Sequence, residues 1–423
     1  MSWFGREGNL TSVETWGRAE VPELPGDGPV PLLRDTASGE LIPAVTGPVA
    51  TMYACGITPY DATHIGHAAT YTAWDLLVRA MLDSAPRPEV VYAQNVTDVD
   101  EPLLERAERD HEDWRELALR ETERYRRDMA ALRVLPPTYL VGAVEALPII
   151  EGFAARLAER GALYNVDDDV YFAKSADPAF GALSGPGSVS NYDPAQLSRL
   201  FAQHGGDPAR PGKKDPLDPL VWSAERPGEP AWESRFGPGR PGWHVECAAI
   251  AAEYLGVAFD VQAGGSDLVF PHHEMSGSHA RVAFAPAEHA FARVYAHAGM
   301  VSYQGEKMSK SLGNLVFVNR LLADGTDPMA IRLALLAHHY SDDWEWTDDC
   351  LARAQARLDR WRDALGRARE AGGEEVLDGV RAALACDLDA PRALAIVDDW
   401  AERGGSGGGL VLKTVDALLG VRL

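Results

Sequence analysis

The stretch VATMYACGITPYDATHIGHAATYTAWDLLVRAMLDSAPRPEVVYAQNV, residues 49–96, decides the fold. Its opening, with Val49, Thr51, Met52 and Tyr53, favours a strand. From Thr63 onward the spacing changes, and Ala68, Tyr71, Trp74, Leu77 and Val78 fall at helical intervals. EVVYAQNV, residues 89–96, returns to strand-like content. Strand, helix and strand in one run make a βαβ unit, which implies a parallel sheet.

Comparable apolar content reappears only at GVAFDVQAGGSDLVF (256–270) and ARVYAHAGMVSY (292–303). That gap predicts an α/β chain with a Rossmann-type domain split into two halves by an insertion, followed by a small helical bundle. The expected bounds are an extended Pro/Gly-rich arm over 1–45, a first half over 46–110 and a connective insertion over 111–238. The second half then covers 239–325 and the C-terminal helical domain 326–423. Within them, one charged helix is expected from Pro102 to about Leu132 and another from about Gly142 to Arg160. YNVDDDVYFAK (164–174) reads as a hairpin and HGGDPARPGKKDPLDPLVW (204–222) as a surface loop. The region from about 327 reads as all helical, with one helix over 380–405 and the GGSGGG tract (404–409) as a flexible break.

Lys plus Arg total 40 against 63 Asp plus Glu, a net charge of −23. A surface this acidic does not coat nucleic acid broadly; a polyanion needs a local basic patch. There is no apolar run near the ~18 residues of a membrane span and no signal-peptide profile, so a cytoplasmic protein is expected. Four cysteines, Cys55, Cys247, Cys350 and Cys386, are no disulfide framework in such a chain.

Two short motifs suggest phosphate chemistry. His64-Ile65-Gly66-His67 lies where the first strand turns into the helix, and a helix N-terminus offers free N–H groups and a positive dipole end. Gly66 leaves room for a planar base beside the backbone. Lys307-Met308-Ser309-Lys310-Ser311 sets two ammonium groups in a small-residue loop, a clamp for a polyphosphate. Either motif alone also fits a helix cap or a solvated loop. A third group is Cys55, Cys247 and His272, two thiols and an imidazole from separate elements. They suit a three-ligand zinc site with an open position. Spacing alone leaves Cys55 and Cys247 equally readable as buried core thiols.

The histidine and lysine motifs, in this order, resemble the two signatures of class I aminoacyl-tRNA synthetases. CGITPYDATHIGHAATY, NVTDVDEPLLERA, GWHVECAAIA, GGSDLVFPHHE and GEKMSKSLGN, from about residue 50 to 320, resemble cysteinyl-tRNA synthetases. That resemblance implies zinc on Cys55, Cys247 and His272, binding the substrate thiolate. It also implies a cysteinyl-adenylate pocket of Cys55, Gly56, Ile57, Thr58, Thr70, Asn95, Val96, Thr97, Trp243, Gly265, Ser266, Asp267 and Val301. His64, His67, Lys307 and Lys310 become the catalytic groups on ATP, with Mg²⁺ accompanying the nucleotide. Where that family has a glutamate as its fourth ligand, this sequence has Ser276, so the fourth position is left to Ser276, another group or the substrate.

Two departures point to a related family. Only 112 residues follow Ser311, and 341–423 holds 11 Lys/Arg against 17 Asp/Glu, a net of −6 that is poor for gripping RNA. Ala69 replaces an arginine usual after HIGHA. WGRAEVPELPGDGPVPLLRD, ITPYDATHIGHAATY, HGGDP (204–208) and DLDAPRALAIVDDWA resemble the cysteine ligases of mycothiol biosynthesis, with His204 where those often carry arginine. The implied reaction activates L-cysteine with ATP and transfers it to the amine of an amino-sugar inositol glycoside. The expected partners are these small molecules, with no tRNA, no membrane and a monomeric chain; the alternative is a cysteinyl-tRNA synthetase charging tRNA.

Overall fold

The computed structural model describes residues 13–181, 189–287, 290–308 and 314–423. The opening stretch forms β1 (Val49–Ile57), α1 (Ile65–Asp83) and β2 (Glu89–Val96). His64 sets the start of α1: its own backbone is extended and its ring accepts the N–H of Gly66. Three further strands, β3 (Tyr139–Gly142), β4 (Ala258–Gly265) and β5 (Phe291–Ala298), complete a five-stranded parallel sheet in the order β5-β4-β1-β2-β3. The two sequence halves meet where β1 pairs with β4, Ala54 opposite Ala263. Chain order reverses there, so a crevice opens at the carboxyl ends of β1 and β4. This is the expected Rossmann-type α/β architecture.

Several expectations need correction. The charged stretch after β2 is two helices, Glu101–Asp110 and Trp114–Ala131. His111 closes the first in the left-handed region (φ 53°), and Asp113 opens the second by accepting the N–H groups of Arg115 and Glu116 at 2.8 and 3.2 Å. The helix expected from Gly142 begins at Leu147, because Tyr139–Gly142 is the edge strand β3 with Leu140 and Val141 fully buried. The hairpin expected at 164–174 forms, as Leu163–Val166 with Asp169–Phe172, and is extended by Leu220–Ala224 and Gly239–Pro241 into a four-stranded antiparallel sheet. A helix, Pro194–Gln203, precedes the HGGDP loop. Residues 13–45 are extended as expected, apart from a short pairing of Leu32–Arg34 with Leu41–Pro43. This arm is anchored through Trp16, whose Nε1 donates to the Val134 carbonyl at 2.8 Å.

The tail carries helices Pro328–Leu336, Asp348–Arg367, Glu374–Ala385, Ala390–Glu402 and Gly408–Leu419. It also carries a strand, Trp344–Trp346, paired in parallel with Val301–Tyr303. The single helix expected over 380–405 breaks at Cys386–Asp389, where Asp387 and Leu388 have positive φ. The GGSGGG tract is a packed turn: the Ser406 carbonyl accepts Trp400 Nε1 at 2.8 Å.

Helix α1 and the tail helices share one apolar core, which includes Trp74, Leu77, Leu333 and Leu418. A buried ionic knot runs through it. Asp75 accepts Arg79 Nε at 2.7 Å, pairs with Arg332, and accepts the Leu135 N–H at 2.8 Å. Arg79 also caps the last helix through the Asp416 and Ala417 carbonyls, and Arg332 does so through Leu419. Guanidinium groups at helix C-termini oppose the dipole and satisfy its last carbonyls. Among the described residues no helix is long and apolar enough to cross a membrane.

Candidate active site and metal centre

Cys55 lies near the carboxyl end of β1. Cys247 sits in α2 (Trp243–Leu255), and His272 in the kinked turn Val269–His273 that follows β4 and leads into α3 (Glu274–Ala283). The structure brings the three together: their ligand atoms lie within 4.8 Å of one another, and all three residues are buried. One nitrogen of His272, Nδ1, is 2.9 Å from His244 Nδ1, which turns the ring; the other, Nε2, is buried with no hydrogen-bond partner. A buried polar atom without a partner is costly unless an ion or ligand satisfies it.

Around this set runs a chain of buried polar groups. Cys55 Sγ lies 3.2 Å from His273 Nε2 and accepts Gln262 Nε2 at 3.4 Å. His273 Nδ1 is 2.7 Å from His297 Nε2, and His297 Nδ1 is 2.7 Å from the Thr36 hydroxyl of the arm. The Trp243 ring stacks on His272, centroids 3.9 Å apart. Burial holds His272 and His273 well below the usual histidine range, and His244 and His297 at about 3. The imidazoles are therefore neutral, the form that ligates metal. Burial, reinforced by Cys55, pushes the Cys247 thiol well above its usual value. A thiol held so far above its usual range ionises only beside a cation. Two sulfurs, one neutral imidazole and an unsatisfied nitrogen thus fit a soft divalent metal with an open coordination position. The Ser276 hydroxyl donates to the His244 carbonyl at 3.0 Å.

The histidine motif stands at the mouth of the same crevice. The rings of His64 and His67 stack with centroids 3.9 Å apart. The space beside Gly66 is taken by the His64 ring, which a Cβ there would meet at 2.8 Å. Gly66 thus leaves the His64 ring room to fold back over the start of α1. The segment after the lysine motif joins this corner: Ile65 N–H donates to the Val316 carbonyl at 2.9 Å, and Val318 N–H to Thr63 at 3.0 Å. Lys307 belongs to the two-residue strand Glu306–Lys307. Its side chain, and all of Lys310, lie outside the described residues.

Of the expected pocket residues, Gly56, Asn95 and Thr97 form one hydrogen-bonded unit. Gly56 N–H donates to Asn95 Oδ1 at 2.8 Å, and Asn95 Nδ2 and the Thr97 hydroxyl both donate to Glu246 at 2.9 Å. A Cβ at Gly56 would fall 1.7 Å from the Asn95 carbonyl oxygen, so only glycine lets β1 approach β2 this closely. Burial pushes Glu246 up to about 8. Ile57 and Val96 pair across the sheet and are buried. Thr58 follows β1 with its carbonyl accepting Tyr60 N–H at 2.9 Å. Gly265, Ser266 and Asp267 cap the end of β4. Val301 is buried on the smaller sheet beside Trp344, and the Thr70 hydroxyl donates to the Gly66 carbonyl at 3.1 Å, a bond internal to α1.

A family model described as tRNA synthetases class I (C) catalytic domain matches residues 42–356. A Thermomonospora curvata protein named L-cysteine:1D-myo-inositol 2-amino-2-deoxy-alpha-D-glucopyranoside ligase is 58% identical over 424 residues, covering 97% of this chain and 100% of its own length. A Streptomyces avermitilis protein of the same name is 57% identical over 419 residues with the same coverage. The chain belongs to this ligase family. The Mycobacterium tuberculosis methionyl-tRNA synthetase solved with methionyl-adenylate has the same fold, at 15% identity, a TM-score of 0.59 and coverage of 88% of this chain and 90% of that one. Class I synthetase architecture in this ligase family therefore agrees with the motifs.

Sequence reasoning missed His244, Gln262, Glu246, His273 and His297, which surround the ligand set. Three of them, His244 and Glu246 in GWHVEC and His273 in PHHE, stood beside the ligands and offered a signal. Gln262 and His297 sit inside strands that carry other polar residues too, Asp260 in β4 and Arg293 in β5, so neither stands out, and the pairing of β4 with β5 brings them both to His273.

Proposed function

We propose that this chain activates L-cysteine with ATP and joins it to the amine of 1D-myo-inosityl 2-amino-2-deoxy-alpha-D-glucopyranoside, the glycoside for which its relatives are named. The observation that carries the reading is the buried Cys55–Cys247–His272 set at the sheet's switch point, beside His64 and His67 at the start of α1. Zinc is the metal that best suits two thiolates and an imidazole; when bound it supplies a seat for the substrate thiolate that a serine hydroxyl fills poorly.

The first step joins a cysteine carboxylate oxygen to the α-phosphorus of ATP and releases pyrophosphate. His64 and His67 donate hydrogen bonds to phosphoryl oxygens, helped by the N–H groups of the helix start. Lys307 and Lys310 neutralise the leaving pyrophosphate, together with the Mg²⁺ that ATP brings. In the second step the sugar amine attacks the activated carbonyl carbon, the bond from that carbon to the phosphate oxygen breaks, AMP leaves and the amine sheds a proton. Gly56, Asn95, Thr97, Gly265, Ser266 and Asp267 hold the adenylate at the strand ends, and Trp243 keeps His272 in its orientation. Most of the rate comes from positioning and charge stabilisation.

The test is to incubate the protein with ATP, cysteine and the glycoside and to look for the amide and AMP, with zinc measured on the same sample. Amide formation with about one zinc per chain is expected. Charging of tRNA with cysteine and no amide would replace this reading with that of a synthetase.

A further inference from the structure

Beside the cysteine site lies a second cleft of about 510 Å³, bounded on one side by Gly242, Trp243 and His244 and on the other by Tyr171 and the Gly205–Asp207 loop. Its size suits a small-molecule substrate. It touches the metal centre through two shared residues: Trp243 stacks on His272, and His244 bonds to it. Cys55, His64 and His67 do not line it, so it is distinct from the nucleotide corner.

Its walls have the character of a site for a polyhydroxylated ligand. Of the rings of Tyr171, Phe201 and Trp243 only that of Trp243 is partly exposed, while Tyr171 and Phe201 are buried beneath Lys213, whose Nζ lies 5.2 and 4.8 Å from their centroids. Charged groups are held in fixed pairs. Arg240 Nη2 donates to Glu101 at 2.9 Å and to Glu229 at 2.8 Å. Asp207 accepts the Tyr171 hydroxyl, and also Lys213 Nζ at 2.7 Å. Each carboxylate keeps lone pairs for hydroxyl or ammonium donors. Asp100, Glu101, Asp207 and Glu229 face Arg210, Arg226 and Arg240, with Lys213 paired to Asp207, so the lining is close to balanced in charge and is not the cationic patch a polyphosphate needs.

We propose that this cleft is the acceptor subsite, where Glu101, Glu229 and Asp207 receive hydroxyls of the amino-sugar inositol glycoside and leave its free amine to reach past Trp243 toward the cysteine seat. The assignment rests on the ligase reading above and gives it the residues that recognise the second substrate.

The experiment measures two half-reactions in Glu101→Gln, Glu229→Gln and Asp207→Asn. Cysteine-dependent ATP–pyrophosphate exchange is expected to stay within about twofold, while KM for the glycoside rises about tenfold or more in at least two of the three. His204→Trp, on the exposed rim, is a second probe that narrows the cleft, and it should raise the same KM. If the unaltered protein makes the amide and all four variants keep their glycoside KM within about twofold, the subsite assignment is overturned while the ligase reading stands. If the unaltered protein exchanges pyrophosphate but never forms the amide, the ligase reading fails and the subsite with it.

Discussion

Asp75→Asn probes the knot that ties the catalytic helix to the tail. Its carboxylate faces two guanidinium groups, Arg79 and Arg332, and all three side chains have no exposed surface. Burial opposes ionisation of Asp75, but Arg332 and Arg79 overcome it and hold the carboxyl below its usual range. Burial also lowers Arg332 to about 10 against the pull of Asp75. Asparagine keeps an oxygen for the Leu135 N–H, so the loss is that of the charge. Removing one partner of a buried pair costs about 3–5 kcal/mol. With an unfolding entropy of roughly 2.1 cal/mol/K per residue over this length, that is a Tm drop of about 3–6 °C. Differential scanning calorimetry of the two proteins at pH 7 measures it. A drop smaller than about 1 °C would show that the knot adds nothing and that apolar packing alone joins α1 to the tail. Because the folded carboxyl titrates below its unfolded value, the Asp75 contribution is present above about pH 4 and fades as pH falls through the folded value, so the two proteins should converge in acid.

Cys247→Ser is expected to lose bound metal and cysteine activation together; retention of both would remove the metal assignment. Lys310→Ala should slow adenylate formation about tenfold or more while metal content stays intact, and an unchanged burst of pyrophosphate release would count against the clamp. Gly56→Ala forces a Cβ into the Asn95 carbonyl, so β1 and β2 must part; activity should fall by about tenfold or more, and a fully active variant would mean the strand ends tolerate that shift. Burial raises Asp128 to about 7, well above an unfolded aspartate, so its folded form keeps a proton that the unfolded chain gives up between about pH 4 and 7. It therefore lowers stability as pH rises through that window, by up to about 4 kcal/mol, and Asp128→Asn should gain in Tm relative to the parent at pH 8 but not at pH 4; an equal difference at both would refute this.

The βαβ unit, the split halves and the three ligands were legible because each left a local mark: a change of period at Thr63, a return of strand content at 256, and thiols rare enough to notice. The strand Tyr139–Gly142 was not, because four residues are too few to show alternation and the apolar run behind them continues into a helix. The break at His111 carries no glycine or proline, whereas the one at Cys386–Asp389 did leave a signal, Asp389 as N-cap with Pro391 in the first turn after it. The second layer around the metal set comes from Thr36, Gln262, His273 and His297, which tertiary pairing alone brings together.

The central strand β1 has as its neighbour β4, which begins two hundred residues further along at Ala258. During synthesis Cys55 therefore leaves the ribosome long before Cys247 and His272 exist, and it must wait as a lone thiol without the two residues it meets in the fold. Any oxidant or scavenging metal that reaches the nascent chain in that interval meets it unprotected, so maturation of this fold depends on a reducing surrounding until about two-thirds of the polypeptide has been made.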